Sequence, residues 1–127
     1  MIRSFKELEV WKNAMDAAME IFVVSKRFPS EERYSLTDQI RRSSRSVPSQ
    51  IAEGWRRRRY IAAFRNKLNE AEGEGAETQT SIEIARRCGY LSDEAAAKLD
   101  ARYDHILAQL VRMHEGAESW CEGVSGR

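Results

Sequence analysis

From Phe64 to Ala85 the chain returns to an apolar or small residue at steps of 4, 3, 4, 3, 4 and 3 without a slip. Phe64, Leu68, Ala71, Gly75, Thr78, Ile82 and Ala85 then share one face of a helix, and no other regular backbone keeps that period so long. A helix of this length exceeds what a short chain can hide alone, so it requires long neighbours. The same 4, 3 rhythm returns in Leu99, Tyr103, Ile106, Leu110, Met113, Ala117 and Trp120, giving a helix over about 93–120. Gly89 is a natural stop between the two, and Ser92 a natural N-cap with Asp93 and Glu94 in the first turn.

Two more helices precede these. Leu8, Trp11, Met15, Ala18 and Phe22 step by 3 and 4 over about 8–27, and this row is taken as the core stripe. Phe28-Pro29-Ser30 ends that helix, since a residue before proline avoids the α region. Leu36, Ile40, Ser43, Val47, Ile51 and Gly54 line one side of a second helix over about 36–54. Pro48 lies inside it, removes one backbone hydrogen bond and predicts a kink. Ser43, Ser44, Ser46 and Ser49 crowd that point and offer hydroxyls to the released carbonyl. Short connections between long helices make neighbours antiparallel. The expectation is all-α: an antiparallel up-and-down four-helix bundle with a proline-kinked second helix. It forms one domain over 1–121, with a frayed tail over 122–127.

The chain has 127 residues and 32% charged residues, with no apolar run near the roughly 18–20 needed to span a membrane. Its first residues lack a signal-peptide core, which predicts a cytoplasmic protein. Cys88 and Cys121 fall near opposite ends of the bundle, too far apart for a disulfide, which needs Cα atoms within about 7 Å.

The first helix has a second apolar row: Val10, Ala14, Ala17, Ile21, Val24 and Phe28. One stripe suffices for a surface helix of a monomer, so this row is the expected interface between copies. The third helix adds a row of small residues, Ala62, Asn66, Asn69, Gly73, Ala76 and Thr80. A mid-helix glycine costs about 1 kcal/mol against alanine, which a close-packing neighbour at Gly73 would explain.

No catalytic arrangement stands out. The bundle's usual metal motif, Glu-x-x-His, is missing, and His105 and His114 are nine residues apart on one helix, facing opposite ways. The chain calls for no cofactor, no metal and no small-molecule substrate. Glu53, next to Gly54 and near the core side, is expected to hold the helix turn through Gln39, Arg42 or the arginines that follow.

Charge gives the strongest functional signal. Between Arg41 and Lys67 there are nine basic residues and one acid, Glu53, so the remainder of the chain carries seven surplus negative charges. Arg41, Arg42 and Arg45 lie on the solvent side of the second helix. Arg56, Arg57, Arg58 and Arg59 follow, flanked by Trp55 and Tyr60. Arginine pairs bidentately with phosphate, and aromatics stack on bases, so RNA or DNA is one expected partner. The alternative is that these arginines pair with acidic faces, leaving a protein–protein scaffold without nucleic-acid binding.

These residues carry a resemblance. Phe28-Pro29, Glu32, Tyr34, Leu36, Gln39-Ile40-Arg41-Arg42, Ser46-Val47-Pro48 and Ile51-Ala52-Glu53-Gly54-Trp55 are similar to the signature of a bacterial four-helix-bundle family encoded by intervening sequences of large-subunit ribosomal RNA genes. Phe64, Leu68, Ala71, Gly73, Glu77-Thr78 and Cys88-Gly89-Tyr90-Leu91-Ser92 extend it. The chain has Gln50, Arg56 and Glu74 where that family more often has asparagine, glycine and serine. The resemblance implies a homopentameric ring without enzymatic activity. A related branch, the accessory variability determinant of diversity-generating retroelements, implies a basic barrel that binds nucleic acid and a reverse transcriptase.

Overall fold

The computed structural model describes residues 1–124. Four long helices, α1 (Glu9–Ser25), α2 (Leu36–Arg56), α3 (Ile61–Arg87) and α4 (Asp93–Glu115), precede a short α5 (Ala117–Cys121), and no strand occurs among the described residues. Around the bundle α1 borders α2 and α4, and α3 borders the same two, so α1 and α3 occupy opposite corners.

Local chemistry sets the ends. Ser4 and Glu7 form a reciprocal capping box around the 3-10 turn Phe5–Glu7 that leads into α1. At the end of α3, Gly89 adopts φ +81°. That left-handed residue lets the Tyr90 N–H reach the Ala85 carbonyl at 2.8 Å and the Gly89 N–H reach Arg86 at 3.0 Å. The Ser92 hydroxyl accepts the Ala95 N–H at 3.1 Å and opens α4.

Ile21, Ile40, Val47, Ile51, Phe64, Leu68, Ile106 and Leu110 are fully or almost fully buried and fill the interior. In their midst the Thr78 hydroxyl donates to Ser43 Oγ at 2.8 Å, tying α3 to α2. At one end Phe28 meets Tyr90 with ring centroids 5.6 Å apart. There the Tyr90 hydroxyl donates to Glu32 at 2.9 Å, while Glu32 also accepts from Ser35 Oγ at 2.6 Å and from the Leu36 N–H at 3.3 Å. These bonds from Ser35 and Tyr90 lower the Glu32 pKa, and the carboxylate in turn pushes the Tyr90 phenol up to about 12. The signature residues Phe28, Glu32 and Tyr90 therefore lock two connections together.

Several sequence expectations change. The fourth helix does not run through to Trp120: Gly116 divides it, as a poor helix former can. Trp120 then meets Trp55 edge-on with centroids 6.0 Å apart. By contrast α2 continues through Pro48, as its apolar stripe led one to expect. The Ser43 and Ser44 hydroxyls turn back to the Ile40 and Arg41 carbonyls, rather than to the Ser44 carbonyl, which lacks the N–H that residue 48 would otherwise have offered. Glu122 to Val124 follow the last helix; the rest of the expected tail lies outside the described residues.

The main correction concerns α1. Val10, Ala14, Ala17, Ile21 and Phe28 are buried in this chain's own core and Val24 is half-buried, so they are not an exposed interface. Trp11 and Phe22 are only half-buried, and Met15 faces solvent. The reason is volume: the row bearing Ala14 and Ala17 lets α1 approach its neighbours, which the bulk of Trp11, Met15 and Phe22 does not.

Candidate interaction surface

The outer face of α1 is the least covered apolar part of the molecule. Met15, Met19 and Val23, one turn apart, are 36%, 54% and 60% exposed. On the α2 side lies a groove of about 620 Å³ lined by Phe5, Trp11, Met15, Met19, Phe22 and Pro48. The capped turn holds Phe5 edge-on to Trp11, with centroids 5.4 Å apart. On the α4 side lies a second groove of about 540 Å³ that includes Met19, Val23, Val24, Ala95 and Leu99. Its charged rim is closed by Arg102 and Glu20 at 2.8 Å. Met19 belongs to both grooves, so the two form one apolar surface over α1.

Three cations surround the Phe22 ring at the α1–α2 seam. Lys26 Nζ stands 4.6 Å from its centroid, and the guanidinium carbons of Arg41 and Arg45 stand at 4.9 and 5.8 Å. Arg41 Nε donates to the buried Ser25 hydroxyl at 2.8 Å. None of the three enters an ion pair among the described residues.

The remaining candidate arginines divide into two groups. Arg42 pairs with Glu77 at 2.9 Å. Arg58 lies over Trp55, its guanidinium carbon 3.4 Å from the ring centroid, and its Nε donates to the Trp55 carbonyl at 2.9 Å. Its partial burial lowers its pKa. Arg56, Arg57 and Arg59 point into solvent around the α2–α3 turn. The aromatic flank differs from expectation: Trp55 is 5% exposed and already covered by Arg58, while Tyr60 is 63% exposed.

Glu53 does not pair as expected. It is solvent-facing and meets Lys67 Nζ at 3.3 Å, while Lys67 also meets Glu70 at 3.2 Å. Gly54 is where the two helices come together, because a Cβ there would stand 3.1 Å from Lys67 Cβ. Gly73 is exposed, and a Cβ there would meet nothing within 4 Å. Gly75 is the close approach on α3: a Cβ would come within 2.9 Å of Leu107 Cδ2. Sequence reading placed Gly75 on the core stripe but gave it no such role.

α3 is acidic on its outer half. Glu70 and Glu77 are exposed, and Glu72, Glu74 and Glu83 half-exposed. Burial and the nearby Glu77 raise the Glu74 pKa, and its Oε1 has no hydrogen-bond partner. Arg86 and Arg87 hold Glu83 down at about 2. Among the described residues no three His, Cys, Asp or Glu side chains stand close enough to hold a metal.

Together these features define a helical bundle whose distinctive chemistry lies on its outer faces rather than in a cleft. The chain belongs to the 23S rRNA-intervening sequence protein family, whose model matches residues 6–112. It is also similar to a solved structure from Bacteroides thetaiotaomicron, described as a protein with unknown function from the S23 ribosomal protein family. That likeness has 26% identity and a TM-score of 0.76, over 84% of this chain and 98% of the other. No curated protein matches the sequence.

Proposed function

We propose that this protein is a non-catalytic, self-associating bundle that gathers copies of itself through α1 and presents the arginines of the α2–α3 turn to nucleic acid. The observation that carries this reading is the α1 surface. Met15, Met19 and Val23 stand exposed side by side between two apolar grooves, where their contact with water costs free energy. Other copies covering it would remove that cost. A ring of five, which the resemblance implies, would repeat Arg56, Arg57 and Arg59 on every subunit. Modest phosphate contacts would then add through avidity. Among the described residues no helix is long and apolar enough to cross a membrane, and we place the assembly in the cytoplasm.

Fluorescence anisotropy with labelled single-stranded RNA and duplex DNA, over a salt series, tests the nucleic-acid part. Each phosphate contact on duplex DNA contributes about 0.9 to the slope of log affinity against log salt. Replacing Arg56, Arg57 and Arg59 by alanine should weaken binding to all sequences and flatten that slope. No binding at low salt, or binding indifferent to the replacement, would overturn it. The second reading, a protein scaffold, draws support from the in-chain pairs Arg42–Glu77 and Arg65–Glu118, both at 2.9 Å, which occupy two arginines of the basic segment. It predicts that the same triple replacement disperses the assembly.

A further inference from the structure

Helix α5 brings acid to the arginines beside the α2–α3 turn. From Met113 to Val124 the chain carries three carboxylates and no lysine or arginine. α5 also lies beyond residue 112, where the family match ends. Five residues are too few for a helix to sustain itself, so its contacts with the bundle hold it. Ala117 and Cys121 are buried, and Trp120 packs edge-on against Trp55. Arg65 Nη2 donates to Glu118 Oε1 at 2.9 Å, and Arg58 Nη1 donates to the Trp120 carbonyl at 3.5 Å. The Glu118 side chain is 79% exposed, and an ion pair so open to water holds weakly. Gly116 is the joint at which α5 leaves α4.

We infer that α5 is a lid over a subsite for single-stranded nucleic acid, formed by Trp55, Arg58 and Arg65, and that an incoming strand displaces it. This rests on the nucleic-acid reading and names further residues and the kind of strand they take. The lid gives these three side chains what a nucleotide would give them. Trp120 sets a ring against Trp55, Glu118 brings an anionic oxygen to Arg65, and the Trp120 carbonyl accepts from Arg58. The imitation is incomplete at Arg65, whose Nε is buried without a hydrogen-bond partner. A phosphate accepts from two guanidinium nitrogens at once, so it satisfies Arg65 where Glu118 does not. Arg58 backs one side of Trp55, and lifting Trp120 opens the ring to a base. Only an unpaired base offers its face for stacking, which selects a single strand over a duplex. Arg56, Arg57 and Arg59 are exposed whether or not α5 is seated, so they make the first contact with the backbone. Lid and strand exclude each other, and a lid seated in about nine chains of ten lowers the apparent affinity about tenfold.

Anisotropy titrations of the full chain with labelled oligo(dT) and with a labelled DNA duplex test this. Trp120→Ala, checked for an unchanged helical circular-dichroism spectrum, should bind the single strand about tenfold tighter than the wild type and the duplex no tighter. Glu118→Gln carries the same test at an exposed position that folding does not depend on, with a gain of about threefold. Glu115→Gln removes the same charge from a carboxylate that has no ion pair among the described residues, and should leave the affinity as it was. Adding Trp55→Leu to Trp120→Ala should erase the gain, because the stacking ring is gone. If Trp120→Ala and Glu118→Gln bind oligo(dT) no tighter than the wild type, or gain equally on the duplex, the covered subsite is wrong while binding through Arg56, Arg57 and Arg59 stands. Absence of binding by every chain at low salt overturns the nucleic-acid reading and the subsite with it.

Discussion

Helices α1 and α3 occupy opposite corners of the bundle and distribute side-chain volume in opposite ways. α3 turns Phe64, Leu68 and Ile82 inward and leaves alanine, glycine, asparagine and threonine outside. α1 turns Ala14, Ala17 and Ala18 inward, beside Val10 and Ile21, and leaves Met15, Met19 and Val23 outside. The first arrangement suits a monomer. The second leaves apolar side chains in water, a cost that a covering partner would relieve. Burial within one chain accounts for α3's inner face, whereas α1's outer face is left to the association proposed above.

The largest expected effect breaks the inner side of that comparison. Phe64→Ala should lower folding stability by about 3–5 kcal/mol, since it empties a fully buried site. Urea unfolding at a dilution where the chain is monomeric measures it. Next, Ile21→Ala should cost about 2–5 kcal/mol under the same conditions, being completely buried. Met19→Ala, two positions earlier, should change monomer stability by no more than about 0.5 kcal/mol and instead weaken assembly. Equal effects would erase the distinction between the rows.

A smaller effect lies on the outer side of α3. Gly73→Ala should raise monomer stability by about 1 kcal/mol, as its methyl enters open space. Urea unfolding at the same dilution measures it. The smallest effects are in pH dependence. With its proton held by Glu32, Tyr90 contributes stability fully present below its ordinary value of 10 and lost as pH rises through about 12. Tyr90→Phe should abolish that alkaline dependence in a thermal-midpoint series. Glu83 behaves in the opposite sense. Its contribution is present above 4.5 and lost as pH falls toward about 2, and Glu83→Gln should flatten the acid limb.

The positions of the four long helices were legible because apolar spacing reports helical period directly. Period leaves the phase open on α1, where both rows step by 3 and 4 with equal regularity. What chose between them was volume: the alanines at 14 and 17 mark a face that neighbours approach, a signal present in the sequence but weighed below the size of Trp11 and Phe22. The arginine-rich segment read as one patch because sequence runs were counted together. Neighbouring helices divide it, with Arg42 claimed by Glu77, Arg58 by Trp55, and Arg41 and Arg45 drawn to Phe22. The Lys67 partner of Glu53 depends on the antiparallel register of α2 and α3, which residue spacing does not encode.

The four methionines provide a direct test of whether another copy covers α1. Oxidation followed by peptide mass spectrometry reads each one, with Met1 fully exposed and Met113 buried at 5% as internal references. At micromolar concentration Met15 and Met19 should resist oxidation nearly as well as Met113, and should become reactive on dilution or in the Met19→Glu chain at Met15. Oxidation of both at a high rate independent of concentration would show the face open to water and contradict the account.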